Sequence, residues 1–306
     1  DNPVLEAHVL RRLAWAGRLG ADFETSRAYI DEVVTRFKKA ELPAEAAKCL
    51  LMLALRLIGS GEHFAELNAA EEALSLSQQA GDLRQRTIAR RHLAIAQMNH
   101  SRLQDALQLV EQALSMHQEL GDRSKECNSL DVKGVFLAQL GQSKESEKQF
   151  HQCLKLAEEI DSDWGMLGAA FGYRNYWYLP RGEYEQLLAF CDYLIHTAQL
   201  RGHEWLIGFS TRMKSVALAD LGQFGEALEF LKPRIEGALK QSDLVSQALV
   251  IAEHGRIFGE LGDFNFAWKS LDEALELIET TGDPYLSSWP LINQARLTLL
   301  EGKPAK

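Results

Sequence analysis

The sequence predicts an all-α fold, an α-solenoid of antiparallel helix pairs, with about seven pairs followed by one unpaired C-terminal helix. Three observations carry this. The first is a period: AEEALSLSQQAGD ends at Asp82, VEQALSMHQELGD at Asp122 and FHQCLKLAEEIDS at Ser162, forty residues apart each time. Val34, Leu74, Leu114 and Leu154 keep that register; one extra residue then enters, and Ile195, Ile235 and Leu275 continue it. Self-similarity at such a period marks stacked repeats, in which each unit buries its apolar face only on its neighbours. The second is a turn position, held by Ala21 (beside Gly20), Gly61, Ser101, Gly141, Gly182, Gly222, Gly262 and Gly302. Glycine ends a helix there because the left-handed conformation costs it nothing. The third is a pair of rows of mostly small residues. Ala14, Ala54, Ala94, Gly134, Asn175, Ser215, Gly255 and Ala295 stand seven residues before the turns, and Ala73, Ala113, Cys153, Leu194, Arg234 and Ala274 stand twelve after them. Small side chains let neighbouring helices approach closely.

These signals cut the single repeat domain, 1–306, into units of about 1–41, 42–81, 82–121, 122–161, 162–202, 203–242 and 243–282, with a partial unit at 283–306. Each unit holds a first helix (A) and a second (B). The pairs are predicted at 3–19 and 23–39, 43–59 and 62–80, 83–99 and 103–120, 123–140 and 143–160. They continue at 163–179 and 183–201, 203–221 and 224–240, and 243–261 and 264–281, before a lone helix near 285–301. Helices of this length bury an apolar stripe on both neighbours. Pro3, Pro43 and Pro284 sit at helix starts, where a missing N–H is harmless. Pro180 is expected to end the fifth A helix, Pro233 to kink the helix 224–240 near Glu229, and Pro290 to delay the last helix to about Ser288. The lone helix lacks a B helix over Trp289, Leu291, Ile292, Leu297 and Leu299, an apolar end that a following segment or a second copy, forming a dimer, is expected to cover. The chain lacks an initiator Met and stops where another helix should begin, so it is expected to be a piece of a longer protein.

Composition narrows the function classes. Hydrophobic residues make up 46%, enough for a continuous core. With 43 acids against 33 bases the net charge is -10, which disfavours nonspecific adhesion to nucleic acid or to anionic membrane. No apolar run approaches a membrane span and no signal peptide opens the chain. Cys49, Cys127, Cys153 and Cys191 form no C-x-x-C pair and match no zinc spacing, so they are expected to be buried free thiols of a cytoplasmic protein.

Small at position 8, Gly at 15, Ala at 20 and Ala at 27 of each unit resembles the tetratricopeptide (TPR) pattern, most closely in LGQFGEALEFL and LGDFNFAWKSLDEAL. The likeness spans essentially the whole chain. It departs in its period, forty rather than thirty-four, and in lacking the Pro that closes a repeat. Units of this length resemble those of bacterial STAND-type regulators such as the maltose-regulon activator, Rap-type phosphatases, kinesin light chain and LGN-type adaptors. The resemblance implies a right-handed superhelix whose inner wall is built mainly from A helices.

No catalytic motif is present: there is no Walker A loop, no G-x-G-x-x-G, no G-x-S-x-G and no H-E-x-x-H, and the nine histidines share no metal-ligand spacing. No enzyme activity, cofactor or metal is expected. By the resemblance, positions 2, 5, 6, 9, 12 and 13 of each repeat face inward. Position 5 gives Arg11, Arg91, Asp131 and Arg212; position 6 gives Arg12, His92, Tyr173, Met213, Glu253 and Asn293. Position 9 gives Trp15, Tyr176, Arg256 and Arg296, and position 2 adds Asn128. The residues point to the same region independently. FGYRNYWYLP (171–180) departs most from the repeat, with Arg174 and Asn175 replacing an apolar and a small residue. Tyr173 and Tyr176 share a helical face, and Trp177 and Tyr178 follow the packing rows. Tyrosine and arginine dominate binding hot spots, and arginine holds a carboxylate through two hydrogen bonds. The expected function is a noncatalytic scaffold whose groove takes an acidic or C-terminal peptide of a protein partner. Tyr173 and Tyr176 would serve as platforms and Arg91 and Arg212 as anion clamps, with His92, Asn128, Asp131, Glu253 and Arg256 completing the wall. The alternative is the ligand-sensing arm of a larger STAND-type ATPase or transcription regulator, with a small-molecule effector on the same wall.

Overall fold

The computed structural model of this chain describes residues 3–16, 23–58, 62–240, 244–281 and 287–302, and every regular element among them is helical. Two compact units divide the chain, Asp1–Trp177 and Tyr178–Lys306. The first carries α1 (Pro3–Ala16), α2 (Phe23–Lys39), α3 (Pro43–Leu57), α4 (His63–Gln79), α5 (Leu83–Asn99), α6 (Leu103–Glu119), α7 (Arg123–Gln139), α8 (Ser143–Glu159) and α9 (Asp163–Gly172). The second carries α10 (Leu179–Arg181), α11 (Tyr184–Arg201), α12 (Glu204–Asp220), α13 (Phe224–Lys240), α14 (Leu244–Glu260), α15 (Phe264–Thr281) and α16 (Ser288–Leu300). A π-helical segment, Tyr173–Tyr178, joins α9 to α10, and the division between units falls inside it.

The turn and small-residue rows do what the sequence requires of them. Left-handed residues recur every 20 positions at Gly81, Ser101, Gly121, Gly141 and Asp161, and again at Gly182, Gly202 and Gly222. The single step of 21 runs from Asp161 to Gly182, across the π-helical segment. A π turn holds one residue more than an α turn. The extra residue in the sequence period is therefore absorbed inside the fifth A helix and not in a loop. Close approach explains the small rows: a Cβ at Gly134 would lie 2.5 Å from the Phe150 ring, and one at Gly255 would lie 2.8 Å from Ser270 Cβ. In the first unit the core runs through Ile30, Phe37, Leu50, Leu57 and Ala70, with Val110 and Phe136 in a second cluster. In the second unit Leu218, Leu231 and Ile257 form one cluster and Leu271, Ile278 and Leu297 another.

Two proline expectations are resolved. Pro290 sits in the first turn of α16, which starts at Ser288 as expected. Pro180 does not end its helix; it lies inside α10, which closes at Arg181 against left-handed Gly182. Pro233 lies inside α13, which is helical from Phe224 to Lys240. Ala21, Gly61 and Pro284 lie outside the described residues, as do the side chains of Ala14, Trp15 and Arg234. All four cysteines are buried and none is in a disulfide; the Cys127 and Cys153 Sγ atoms lie 3.2 Å apart in hydrogen-bonding contact. Of the apolar residues on α16, Leu297 is buried, whereas Leu291, Ile292 and Leu299 stay exposed. No described helix is long and apolar enough to cross a membrane.

Candidate functional site

In the first unit, three successive A helices, α5, α7 and α9, pack side by side. Side-chain caps set their phase. Asp82 accepts from the Gln85 N–H at 2.9 Å, Asp122 from the Lys125 N–H at 3.3 Å, and Ser162 Oγ from the Gly165 N–H at 3.1 Å. Counting from these caps, Arg91, Asp131 and Phe171 occupy one register position, and Ile88, Asn128 and Gly168 another one turn earlier. Both rows lie on one face of their helices.

That face is polar and incompletely satisfied. Arg91 and Asp131 are half-buried, and neither the Arg91 Nε nor the Asp131 Oδ1 has a hydrogen-bond partner among the described residues. Burial raises the Asp131 carboxyl to about 6, against the opposing pull of the Arg91 charge. The same burial lowers the Arg91 pKa, with Asp131 opposing. His92 is buried beside Arg91, whose Nη2 lies 3.3 Å from its Nε2, and its Nδ1 has no hydrogen-bond partner among the described residues. Burial, then the charges of Arg91 and Lys125, hold this imidazole well below its ordinary range, so it is neutral. On α6, His117 fills a buried position where other repeats place Ser77, Ala157 and Ala198; burial lowers its pKa to about 4. Asn128 is half-buried, one turn from Asp131.

The π-helical segment overturns one sequence expectation. Tyr173 is 7% exposed and packs against buried Phe150 with ring centroids 5.8 Å apart, so it is core and not a groove platform. Phe150 accounts for this: it is wedged against Gly134 and Gly172, and the tyrosine closes over its edge. Tyr176 stacks on the same ring at 6.4 Å and remains half-buried. Arg174 donates from Nη1 to Asn175 Oδ1 at 3.2 Å. Trp177 and Tyr178, expected in the core, are half-buried.

In the second unit the predicted residues turn inward. Glu253 is fully buried and accepts from Arg256 Nε at 2.9 Å and Nη2 at 2.7 Å. Arg256 Nη1 donates to Asp220 at 2.9 Å, tying α14 to α12. These carboxylates keep the guanidinium charged against the cost of its burial. Glu253 and Arg256 thus form an internal clamp and do not line a groove. Met213 and Asn293 are buried as well. With His92 and Tyr173 this makes five of the six position-6 residues buried; Arg12, in the first repeat, is exposed. Arg212 stays half-buried, its guanidinium 5.8 Å from the Phe209 ring and 6.0 Å from that of Trp289.

Sequence reasoning missed Trp164 and Phe171, which are 64% and 40% exposed on α9. Positions in the fifth repeat taken backwards from Gly182 cross the inserted residue. Counted forwards from Ser162, position 2 is Gly168 and position 5 is Phe171, the frame that holds before the π segment. The signal was there: two aromatics seven apart with a glycine between them. Among the described residues, no group of three or more His, Cys, Asp or Glu side chains is placed to hold a metal ion.

No protein-family model matches this chain, and no curated protein sequence does. Solved structures do. Aspartyl phosphate phosphatase F from Bacillus subtilis is 12% identical, with a TM-score of 0.60 over 92% of this chain and 70% of that one. A STAND protein with a tetratricopeptide repeat sensor from Pyrococcus horikoshii is 16% identical, with a TM-score of 0.57 over 97% of this chain and 45% of that one. A Rap protein complexed with competence and sporulation factor is 16% identical, with a TM-score of 0.55 over 85% and 71%. At these identities the likeness is one of fold, and the fold is a TPR-like α-solenoid.

Proposed function

We propose that this chain is a noncatalytic repeat scaffold that binds a peptide segment of a protein partner on the α5, α7 and α9 face of its first unit. One observation carries the reading. Arg91 and Asp131 stand on neighbouring A helices with enclosed hydrogen-bonding atoms that no other described residue satisfies. An unmet buried donor or acceptor costs about 1–3 kcal/mol, so a ligand that meets both recovers that cost on binding. A peptide supplies both kinds of group: a carbonyl or carboxylate for Arg91 and a donor for Asp131. The Rap protein of similar fold, solved with competence and sporulation factor, supports the reading as an analogy of fold. Tyr176 and Asn128 complete the contact surface; the second unit's Arg256 and Glu253 take no part, since both are buried and Arg256 is hydrogen-bonded to Glu253 and Asp220.

The test is affinity selection of a degenerate octapeptide library on the immobilised chain. Wild type is expected to enrich a defined sequence pattern. Arg91→Ala should lose tenfold or more in affinity for the selected peptides, about 1.4 kcal/mol. Selection unchanged in both Arg91→Ala and Asp131→Asn would place the site elsewhere, and a library that enriches nothing would remove the peptide reading.

A further inference from the structure

Two histidines are buried in the first unit where the stack has no need of an imidazole. His92 lies on α5, and His117 lies on α6, which packs against both α5 and α7. The positions that correspond to His117 hold Ser77, Ala157 and Ala198, all buried, and those that correspond to His92 include Met52 and Met213. Packing alone therefore calls for neither ring. Hydrogen bonding ties both to their neutral forms. A guanidinium only donates, so Arg91 Nη2, 3.3 Å from His92 Nε2, requires that nitrogen to accept, and the neutral ring carries its proton on Nδ1. A second proton would have to enter at Nε2, against that donor. His117 has no hydrogen-bond partner at either ring nitrogen among the described residues. Charging it would leave two buried donors and a buried charge unanswered.

The surrounding charges point the same way. Arg91 of α5 and Lys125 of α7 act on both rings and disfavour their charged forms; Asp122, in the turn before α7, acts on His117 in the opposite sense. Asp131 of α7 sets its charge against Arg91. On the other helices packed against α5, Glu66 of α4 accepts from Asn99, and Glu45 and Lys48 of α3 pair with each other. We propose that His92 and His117 form an acid-sensitive latch: protonation of the two rings opens the seam between α5, α6 and α7 and dismantles the face that carries Arg91 and Asp131. An opened seam exposes both imidazoles to water, where they charge near pH 6.5. In the closed seam both values are lowered, that of His117 to about 4. The stability linked to the neutral rings is therefore complete above about pH 6.5 and is lost as pH falls from there toward about 4. The latch is a property of the free chain and stands apart from the peptide reading.

The test is hydrogen exchange of the full chain, read by mass spectrometry at pH 7 and pH 5, with each rate corrected for its intrinsic pH dependence. In wild type, the protection of amides in 83–139 is expected to fall about tenfold or more at pH 5. The double variant His92→Met, His117→Ala places there residues that other repeats use, and its protection should change far less. Asp131 titrates in the opposite sense over the same range and is common to both chains. Protection that holds at pH 5, or that falls equally in both chains, overturns the latch. A second measurement needs no variant. In NMR spectra of the histidine side chains of wild type, the His92 and His117 rings should give the signals of neutral imidazole at pH 6. A ring already charged there, with the helices intact by circular dichroism, overturns the latch even if the double variant fails to fold.

Discussion

Two A-helix faces of this molecule use the same ingredients and reach opposite ends. In the second unit, Arg256 meets Glu253 and Asp220 at hydrogen-bonding distance, and the charges close on each other. In the first, Arg91 and Asp131 stand on neighbouring helices, and each retains a buried atom without a hydrogen-bond partner among the described residues. A paired charge cluster ties helices together; an unpaired one is a cost that a binding partner can relieve. Residue type does not separate the two cases. Pairing does: Arg256 is hydrogen-bonded to both of its carboxylates, although Glu253 Oε2 is itself buried without a hydrogen bond, whereas Arg91 and Asp131 act on each other only through their charges.

The comparison breaks most visibly at Glu253. Glu253→Ala leaves Arg256 buried with only Asp220 to balance it. Removing one partner of a buried pair costs about 3–5 kcal/mol. Thermal unfolding should show the largest loss of stability here, and an unchanged midpoint would mean the cluster holds nothing together. Asp131 should behave in the opposite sense. Its folded-state pKa, about 6, lies above its ordinary 3.8. The stability linked to its neutral form is fully present below about pH 3.8 and is lost as pH rises through about 6. Asp131→Asn should therefore stabilise the chain at pH 7.5, on the order of 1–3 kcal/mol, and make little difference near pH 4. Urea midpoints at the two pH values decide it; a variant weaker than wild type at pH 7.5 would show Asp131 to be a structural anchor. The smallest effect is expected at Trp164. Its side chain is 64% exposed, so Trp164→Ala should change stability by no more than about 0.5 kcal/mol. A large loss of stability would return Trp164 to the core.

Much of the fold was legible because it rests on local rules. The glycine turns, Asp82 and Asp122 as caps, and the small positions at Ala94 and Gly134 each follow from backbone or packing requirements that recur every repeat. The site was only partly legible. Arg91 and Asp131 share one register position, with Asn128 one turn before Asp131 on the same face, since no inserted residue disturbs their helices. His92 and Glu253 sit one residue further along their helices, enough to turn them into the interior. Tyr173 was misjudged for another reason: its burial depends on Phe150, a distant residue in the chain whose ring reaches it only because Gly134 and Gly172 leave room. Periodicity can place a residue on a helix face, but it cannot say which bulky neighbour occupies that face.

The π-helical segment at Tyr173–Tyr178 works as a phase shifter. One added residue advances a helix by about 100°. The fifth A helix therefore keeps one frame up to Gly172 and another beyond it, while the repeats on either side retain their 20-residue step. Loops in such an array can lengthen without re-aiming a single side chain. An insertion within a helix re-aims every residue on one side of it and none on the other. In a stack of near-identical rungs, a length change of one residue is thus a means of giving one rung its own outlook: Gly168, before the shift, packs against Asp131, while Tyr173, within it, turns to Phe150.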